Sequence, residues 1–351
     1  MSIGHSLRQN HPSYWKQTMF RSFVFPILVM LCLFSLVYPL SPCSAGPKAN
    51  AKIEGGDTMP PQKILKKATL KRAKPVSQAV HAKAYCCVDP LTNQIIMERN
   101  ANEPLPVASL TKLVTAMVVL EHMPLDMKVT VPEHIKTVPR TVIGLKSGDT
   151  ITVVDLLHGL LIGSGNDCAE TLACGFPGGK DKLIEAMNKR VKKLGHTQTT
   201  FYTPSGLDRK NDSTEAARNA QDVDSNVSTA KEMAQIARIA FANKIIRSIS
   251  LKKGHVIIGH AKSTTYPVRT TNKLLKDNLP LYGGKTGFTH RAGHCLASEF
   301  RPGKNVLLIV VLGSPDHFRD TRLVYKNALK KSDSGKGSAP TPSSQKTAST
   351  K

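Results

Sequence analysis

Aromatic residues make up only 5% of this 351-residue chain, and tryptophan occurs once. That scarcity argues against a nucleic-acid surface built on stacked bases. Acids are also few: 25 Asp and Glu stand against 49 Lys and Arg, a formal net charge of +24. No Gly-x-Ser-x-Gly elbow is present, so the usual strand-turn-helix setting of a Ser-His-Asp hydrolase is missing. No internal repeat is visible. Seven cysteines occur, and Cys32 and Cys43 fall in the N-terminal stretch. The other five are Cys86, Cys87, Cys168, Cys174 and Cys295, an odd number. In an oxidising compartment at least one of them has no partner within the chain. Adjacent cysteines in a strand point to opposite faces, so Cys86 and Cys87 are poor partners. Most of the five read as small core residues rather than a disulfide scaffold.

The chain does hold one long apolar run, Phe23 to Leu40, preceded by Lys16 and Arg21 with no acid before it. Small residues follow, Pro42-Cys43-Ser44-Ala45-Gly46. A basic flank, an apolar stretch and a small-residue exit describe an export signal over residues 1–45, cut after Ala45. Left uncut, the same segment would anchor the chain in a membrane. Residues 46–83 are rich in Pro, Gly and Lys, carry a net +7 and read as a disordered basic linker. Residues 332–351 are Ser, Thr, Pro, Gly and Lys with almost no apolar residue, and read as a disordered tail. One domain remains, residues 84–331, with a net +12. A basic exported domain suits an anionic polymer or an anionic membrane surface. Export and the lack of any nucleic-acid motif argue against a nucleic-acid partner.

Within 84–331 the first segment alternates as AYCCVD, a Pro-Leu-Thr-Asn turn and QIIMER, the pattern of a β-hairpin. Apolar residues at 110, 113, 114, 117 and 118 then predict a largely buried helix. Thr152 with Asp155 predicts a capped helix start. Further helices are expected at 167–173, 181–194 and 229–242, and a last one at 318–329. The final third returns to strands at HVIIG, YGGKTGFT, HCLASEF and NVLLIVVLG. Strands at both ends with helices between them predict an α+β domain with a helical insert.

Three short motifs stand in order: Ser109-Leu-Thr-Lys112, Ser164-Gly-Asn166 and Lys285-Thr-Gly287. Ser-x-x-Lys occurs five times and means little alone, whereas Ser-x-Asn and Lys-Thr-Gly each occur once. One helical turn separates Ser109 from Lys112, so their side chains share a face. A lysine deprotonates a serine only when it is itself neutral. Burial and a second cation, Lys285, would lower its pKa. The Ser164 hydroxyl can pass a proton between Lys112 and a leaving amine. Gly165 permits a tight bend there. The Asn166 amide can hold a substrate carbonyl and fix the lysine. Lys285 and Thr286 can bind a carboxylate, and Gly287 lets a substrate backbone approach the strand. This is a complete acyl-transfer set without a catalytic histidine.

With these residues the chain resembles the penicillin-recognising serine enzymes. More closely it is similar to the serine-type D-alanyl-D-alanine carboxypeptidases of low molecular mass. PVASLTKLVTA, GSGNDCAETLA, TTFYTPSGL, STAKEMAQIA and GGKTGFTHRAGHCLAS carry the likeness, which spans the whole core. The resemblance implies a β-lactamase/transpeptidase-like fold, an antiparallel sheet flanked by helices with a mostly helical subdomain. It implies Ser109 as acyl-ester nucleophile and Lys112 as proton acceptor, with Ser164 and Asn166 as relay and anchor. Lys285, Thr286 and Gly287 would bind substrate, and the Ser109 and Phe288 backbone N–H groups would form the oxyanion hole. Peptidoglycan stem pentapeptides would be the substrate and β-lactams the inhibitors, in the periplasm or cell envelope, with no metal or cofactor.

Two features depart from that pattern. Residues 208–227 are longer and more polar than the likeness leads one to expect. No counterpart is expected for the second β-rich domain and C-terminal amphipathic anchor of many relatives. Other readings stay open. A β-lactamase shares the three motifs, but such enzymes have aspartate where Gly165 stands, and the Glu-x-x-x-Asn loop through which they deacylate is not expected between Ser164 and Lys285. A zinc peptidase would use His290 and His294, yet four residues along a strand span roughly 13 Å. A non-catalytic wall-binding protein would have no need of Lys112.

Overall fold

A computed structural model describes residues 79–139, 141–209 and 224–335. The expected export segment, most of the basic linker, residues 210–223 of the polar insertion and residues 336–351 of the tail lie outside the described residues.

The first strands, β1 (Ala84–Val88) and β2 (Ile95–Arg99), form the expected hairpin. Its turn is closed by an Asn93 N–H bond to the Asp89 carbonyl, with Asn93 in the left-handed region that asparagine tolerates. A short strand β3 (Leu105–Pro106) leads through a 3-10 turn, Ala108–Thr111, into α1 (Lys112–His122). Then come β4 (Lys128–Thr130), β5 (Thr150–Thr152), α2 (Val153–Ile162), α3 (Asn166–Gly175) and α4 (Gly179–Lys193). Thr152 caps α2 by accepting the Asp155 N–H, as its spacing predicted. After β6 (Val227–Ser228) follow α5 (Ala230–Ala242) and α6 (Lys244–Ser250). The chain ends in β7 (Gly254–Ile258), β8 (Thr265–Arg269), β9 (Leu281–Thr289), β10 (Gly293–Phe300), β11 (Leu307–Ser314) and α7 (His317–Gly335).

Five strands form one antiparallel sheet in the order β2-β1-β11-β10-β9, so the two ends of the domain meet at β1 and β11. The apolar run of β11 is explained by cover on both faces. Leu308, Val310 and Leu312 join the core shared with α5 and the helices, whereas Leu307, Ile309 and Val311 pack beneath α7. Cys86 and Cys87 divide between these two cores in the same way, as strand alternation requires. The helical layer centres on α1, whose first eight residues are all buried. The α+β architecture with an antiparallel sheet and a helical subdomain thus holds.

Some boundaries differ from expectation. Ala82 is buried and the Lys83 N–H bonds Gly313 O, so the fold begins before Ala84. Helix α7 continues to Gly335, past the expected boundary at Lys331, whose ammonium bonds Ile96 O. The strand of HVIIG, β7, pairs with β8 in a separate hairpin instead of joining the main sheet.

Candidate active site

Ser109 lies in the 3-10 turn, and Lys112 is the first residue of α1. Ala108, just before the serine, has φ +48°, a strained conformation for a residue with a Cβ. Two contacts hold it. The Thr111 hydroxyl donates to Ala108 O at 2.8 Å. Gly206, at φ +85°, lies so close that a Cβ there would stand 2.0 Å from the same oxygen. Only glycine lets the 203–207 turn rest against the serine turn.

Lys112 is fully buried. Its Nζ sits 2.6 Å from Ser205 O, 2.7 Å from Asn166 Oδ1 and 2.8 Å from Ser109 Oγ. Asn166 Nδ2 donates to Pro139 O at 3.0 Å, which orients the amide so that its oxygen faces the lysine. Two of the three partners are therefore obligate acceptors. Burial, and then the charge of Lys285, hold Lys112 well below its ordinary pKa. A neutral amine has two N–H groups and one lone pair. In that form the two N–H groups would serve Ser205 O and Asn166 Oδ1, and the lone pair would face the Ser109 hydroxyl proton.

Between α2 and α3 the chain turns at Ser164, whose φ is +58°. The bend is thus made by the serine. Gly165, expected to make it, has φ −58°. Its missing side chain provides space instead, because a Cβ would come within 2.8 Å of Ile143 and 2.9 Å of the Asp167 carboxylate. Ser164 Oγ accepts from Lys285 Nζ at 2.8 Å. The expected relay position is therefore tied to Lys285 rather than to Lys112.

Lys285, on β9, is buried and also donates to Thr286 O at 2.7 Å. Burial pushes its pKa down to about 7. The Thr286 hydroxyl is 2.5 Å from that of Thr271. A Cβ on Gly287 would lie 3.0 Å from the Ser109 backbone nitrogen, so this glycine allows β9 to approach the serine turn. Ser109, Ser164, Thr286, Gly287 and Phe288 border one cleft of about 160 Å³. A second groove, about 490 Å³, starts at Asn166 and Ser205 and runs past Glu170 and Lys180. All three motifs are brought together.

Four contributors were not anticipated. The Ser205 carbonyl is one, although its stretch Thr203-Pro-Ser-Gly-Leu207 was singled out. Asp167 is another: its carboxylate accepts the N–H groups of Ile143, Gly144, Leu145 and Cys168 at 2.8–3.1 Å. That pins the loop whose Thr141 carbonyl accepts the Asn166 N–H. Thr271 and His317 complete the cleft wall. Burial, and then His294, push the His317 pKa down to about 4, so its ring is neutral at physiological pH. Among the described residues, side chains able to ligate a metal gather at Asp155, His158 and His255 and at His134, Glu170 and Cys174. Neither group includes a member of the three motifs.

Residues 69–316 match the family model described as D-alanyl-D-alanine carboxypeptidase. The D-alanyl-D-alanine endopeptidase of Escherichia coli K12 is 32% identical over 243 residues, 66% of this chain and 72% of that protein. The D-alanyl-D-alanine carboxypeptidase DacC of the same organism is 32% identical over 252 residues, 67% of this chain and 57% of that protein. The crystal structure of D-alanyl-D-alanine carboxypeptidase from Mycobacterium tuberculosis H37Rv superposes with a TM-score of 0.63 at 27% identity, covering 72% of this chain and 92% of that one.

Proposed function

The chain belongs to the D-alanyl-D-alanine carboxypeptidase family, and from that premise we propose that Ser109 and Lys112 cut the terminal D-alanine from peptidoglycan stem pentapeptides. The enzyme is a serine-type peptidase. One observation carries the assignment of roles: Lys112 Nζ, buried and held by Asn166 Oδ1 and Ser205 O, lies 2.8 Å from Ser109 Oγ. Ser109 Oγ attacks the carbonyl of the D-Ala-D-Ala bond as its proton passes to Lys112. The tetrahedral oxyanion is held by the Ser109 and Phe288 backbone N–H groups. Lys285, with Thr286, binds the C-terminal carboxylate, and Ser164 gives its hydroxyl proton to the departing amine and takes in exchange the one that Lys112 received from Ser109. Asn166 keeps Lys112 in place, and Gly287 leaves room for the substrate backbone. Water then releases the acyl group from Ser109. The strained amide of a β-lactam would enter the same cleft and acylate the same serine.

The proposed substrate and the export signal expected over residues 1–45 both support an envelope location. Among the described residues no helix is long and apolar enough to cross a membrane.

Benzylpenicillin and intact-mass analysis of the purified protein test this reading. The expected result is one penicillin-sized adduct, absent from Ser109→Ala. Absence of both an adduct and D-alanine release from folded protein would sink it. Persistence of the adduct separates a carboxypeptidase from a β-lactamase. Contrary to expectation, the Glu-x-x-x-Asn spacing of such a lactamase does occur between Ser164 and Lys285, as Glu215-Ala-Ala-Arg-Asn219, which lies outside the described residues. The likeness to an endopeptidase favours a second reading, in which the leaving amine belongs to a cross-bridge. Digestion of cross-linked muropeptides, with products separated by chromatography, distinguishes the two.

A further inference from the structure

Helix α2 carries Asp155 and His158 three residues apart, so both side chains leave the same face. His255, on β7, lies against that face. The His158 and His255 rings stack with centroids 3.9 Å apart and planes 19° from parallel. His255 Nε2 is 2.7 Å from Asp155 Oδ1. The ligand atoms of all three residues lie within 4.8 Å of one another.

We propose that Asp155, His158 and His255 form a binding site for one zinc-class divalent cation. The site stands apart from the catalytic cleft and uses none of its residues. Two imidazoles and one carboxylate suit zinc and its late-transition neighbours. They do not suit calcium or magnesium, which take oxygen ligands. The orientation of His158 is already that of a ligand. Its Nδ1 bonds the Val154 carbonyl at 2.8 Å, which places the proton on that nitrogen and the lone pair on Nε2. That lone pair faces a cation in the present structure, the Lys252 ammonium at 2.9 Å. Lys252 is exposed, so its long side chain can swing into water when a metal takes its place. Asp155 and His255 keep 17% and 25% of their side-chain surface exposed, which gives the ion a route in and a water for its fourth position. Tetrahedral bonds of about 2.0–2.2 Å put ligand atoms about 3.4 Å apart, so side-chain shifts of about 1 Å suffice.

The bound ion would tie the start of α2 to the β7–β8 hairpin. The other end of α2 leads directly into Ser164, and the same region meets the hairpin strand's continuation where the Thr271 N–H bonds Ile162 O. The expected effect is therefore structural.

Chelator-treated full-length protein should be titrated with zinc chloride by calorimetry and followed by thermal melting. One zinc per chain with micromolar or tighter affinity is expected, with a rise in melting temperature. His158→Ala and His255→Ala should each weaken binding more than tenfold and abolish the rise. Lys252→Ala should tighten binding several-fold, because the competing ammonium is gone. Circular dichroism confirms that each variant is folded. Absence of binding at 100 µM zinc, or retention of wild-type affinity in folded His255→Ala, overturns the proposal. So does loss of binding in Cys174→Ser alone, which would put the metal at His134, Glu170 and Cys174.

Discussion

Among the described residues, Lys112 and Lys285 are the two large cationic side chains that are buried completely. The chemistry needs one neutral and one charged, and burial disfavours the charge on both. Lys285 shows the consequence for stability. Its folded pKa is about 7, against 10.5 when unperturbed. Between those values the unfolded chain holds a proton that the folded chain has released, so folding stability rises with pH across that window. Lys285→Met removes this contribution. It should raise stability at pH 7 by about 1–3 kcal/mol and reduce the slope of stability between pH 7 and 10, with loss of D-alanine release. Urea melts at pH 7 and 9.5 read the slope, and an unchanged slope would contradict the assignment. At this scale the motifs made Ser109, Lys112, Ser164, Asn166 and Lys285 legible, because each enters the cluster through its side chain. Ser205 was not, since its part is played by a main-chain carbonyl that any residue possesses.

The site's geometry rests on how elements are joined. Asp167, at the first turn of α3, holds four backbone N–H groups of the 143–145 loop and its own helix. Replacing it by alanine would leave several buried donors without an acceptor. Asp167→Ala should cost about 2–4 kcal/mol in a urea melt and slow acylation by benzylpenicillin, because the loop also positions Asn166. Wild-type stability and acylation rate would show that water replaces the carboxylate without loss. Long elements could be read from their periods, but short ones could not. Helix α6 has seven residues, too few for a recurring apolar stripe, though Asn243 caps it. Strand β8 alternates exposed and buried residues but contains Pro267, which is tolerated because this two-stranded hairpin has free edges.

Across the whole molecule, the five described cysteines are all reduced, and four are buried. Burial pushes the thiols of Cys86 and Cys295 up to about 12 and those of Cys87 and Cys168 up as well. Cys174 alone among them is exposed. Peptide mapping after treatment with Ellman's reagent at pH 8 should find only Cys174 labelled in the native protein and all five labelled in guanidinium chloride. Early labelling of Cys86 would mean that the β1–β11 junction opens in the folded protein.

Local rules were enough to predict the strand-helix-strand order, the alternation of Cys86 and Cys87, the Thr152 cap and the three motifs, because each depends on residues close in sequence. Pairing β1 with β11 joins residues more than 200 positions apart, and periodicity cannot specify such a partner. The same holds for Lys112. Burial and then the charge of Lys285 lower its pKa, while partners 54 and 93 residues away hold it in place. A Ser-x-x-Lys motif names the proposed nucleophile and base. Only the packed structure removes the water that would otherwise keep that base charged.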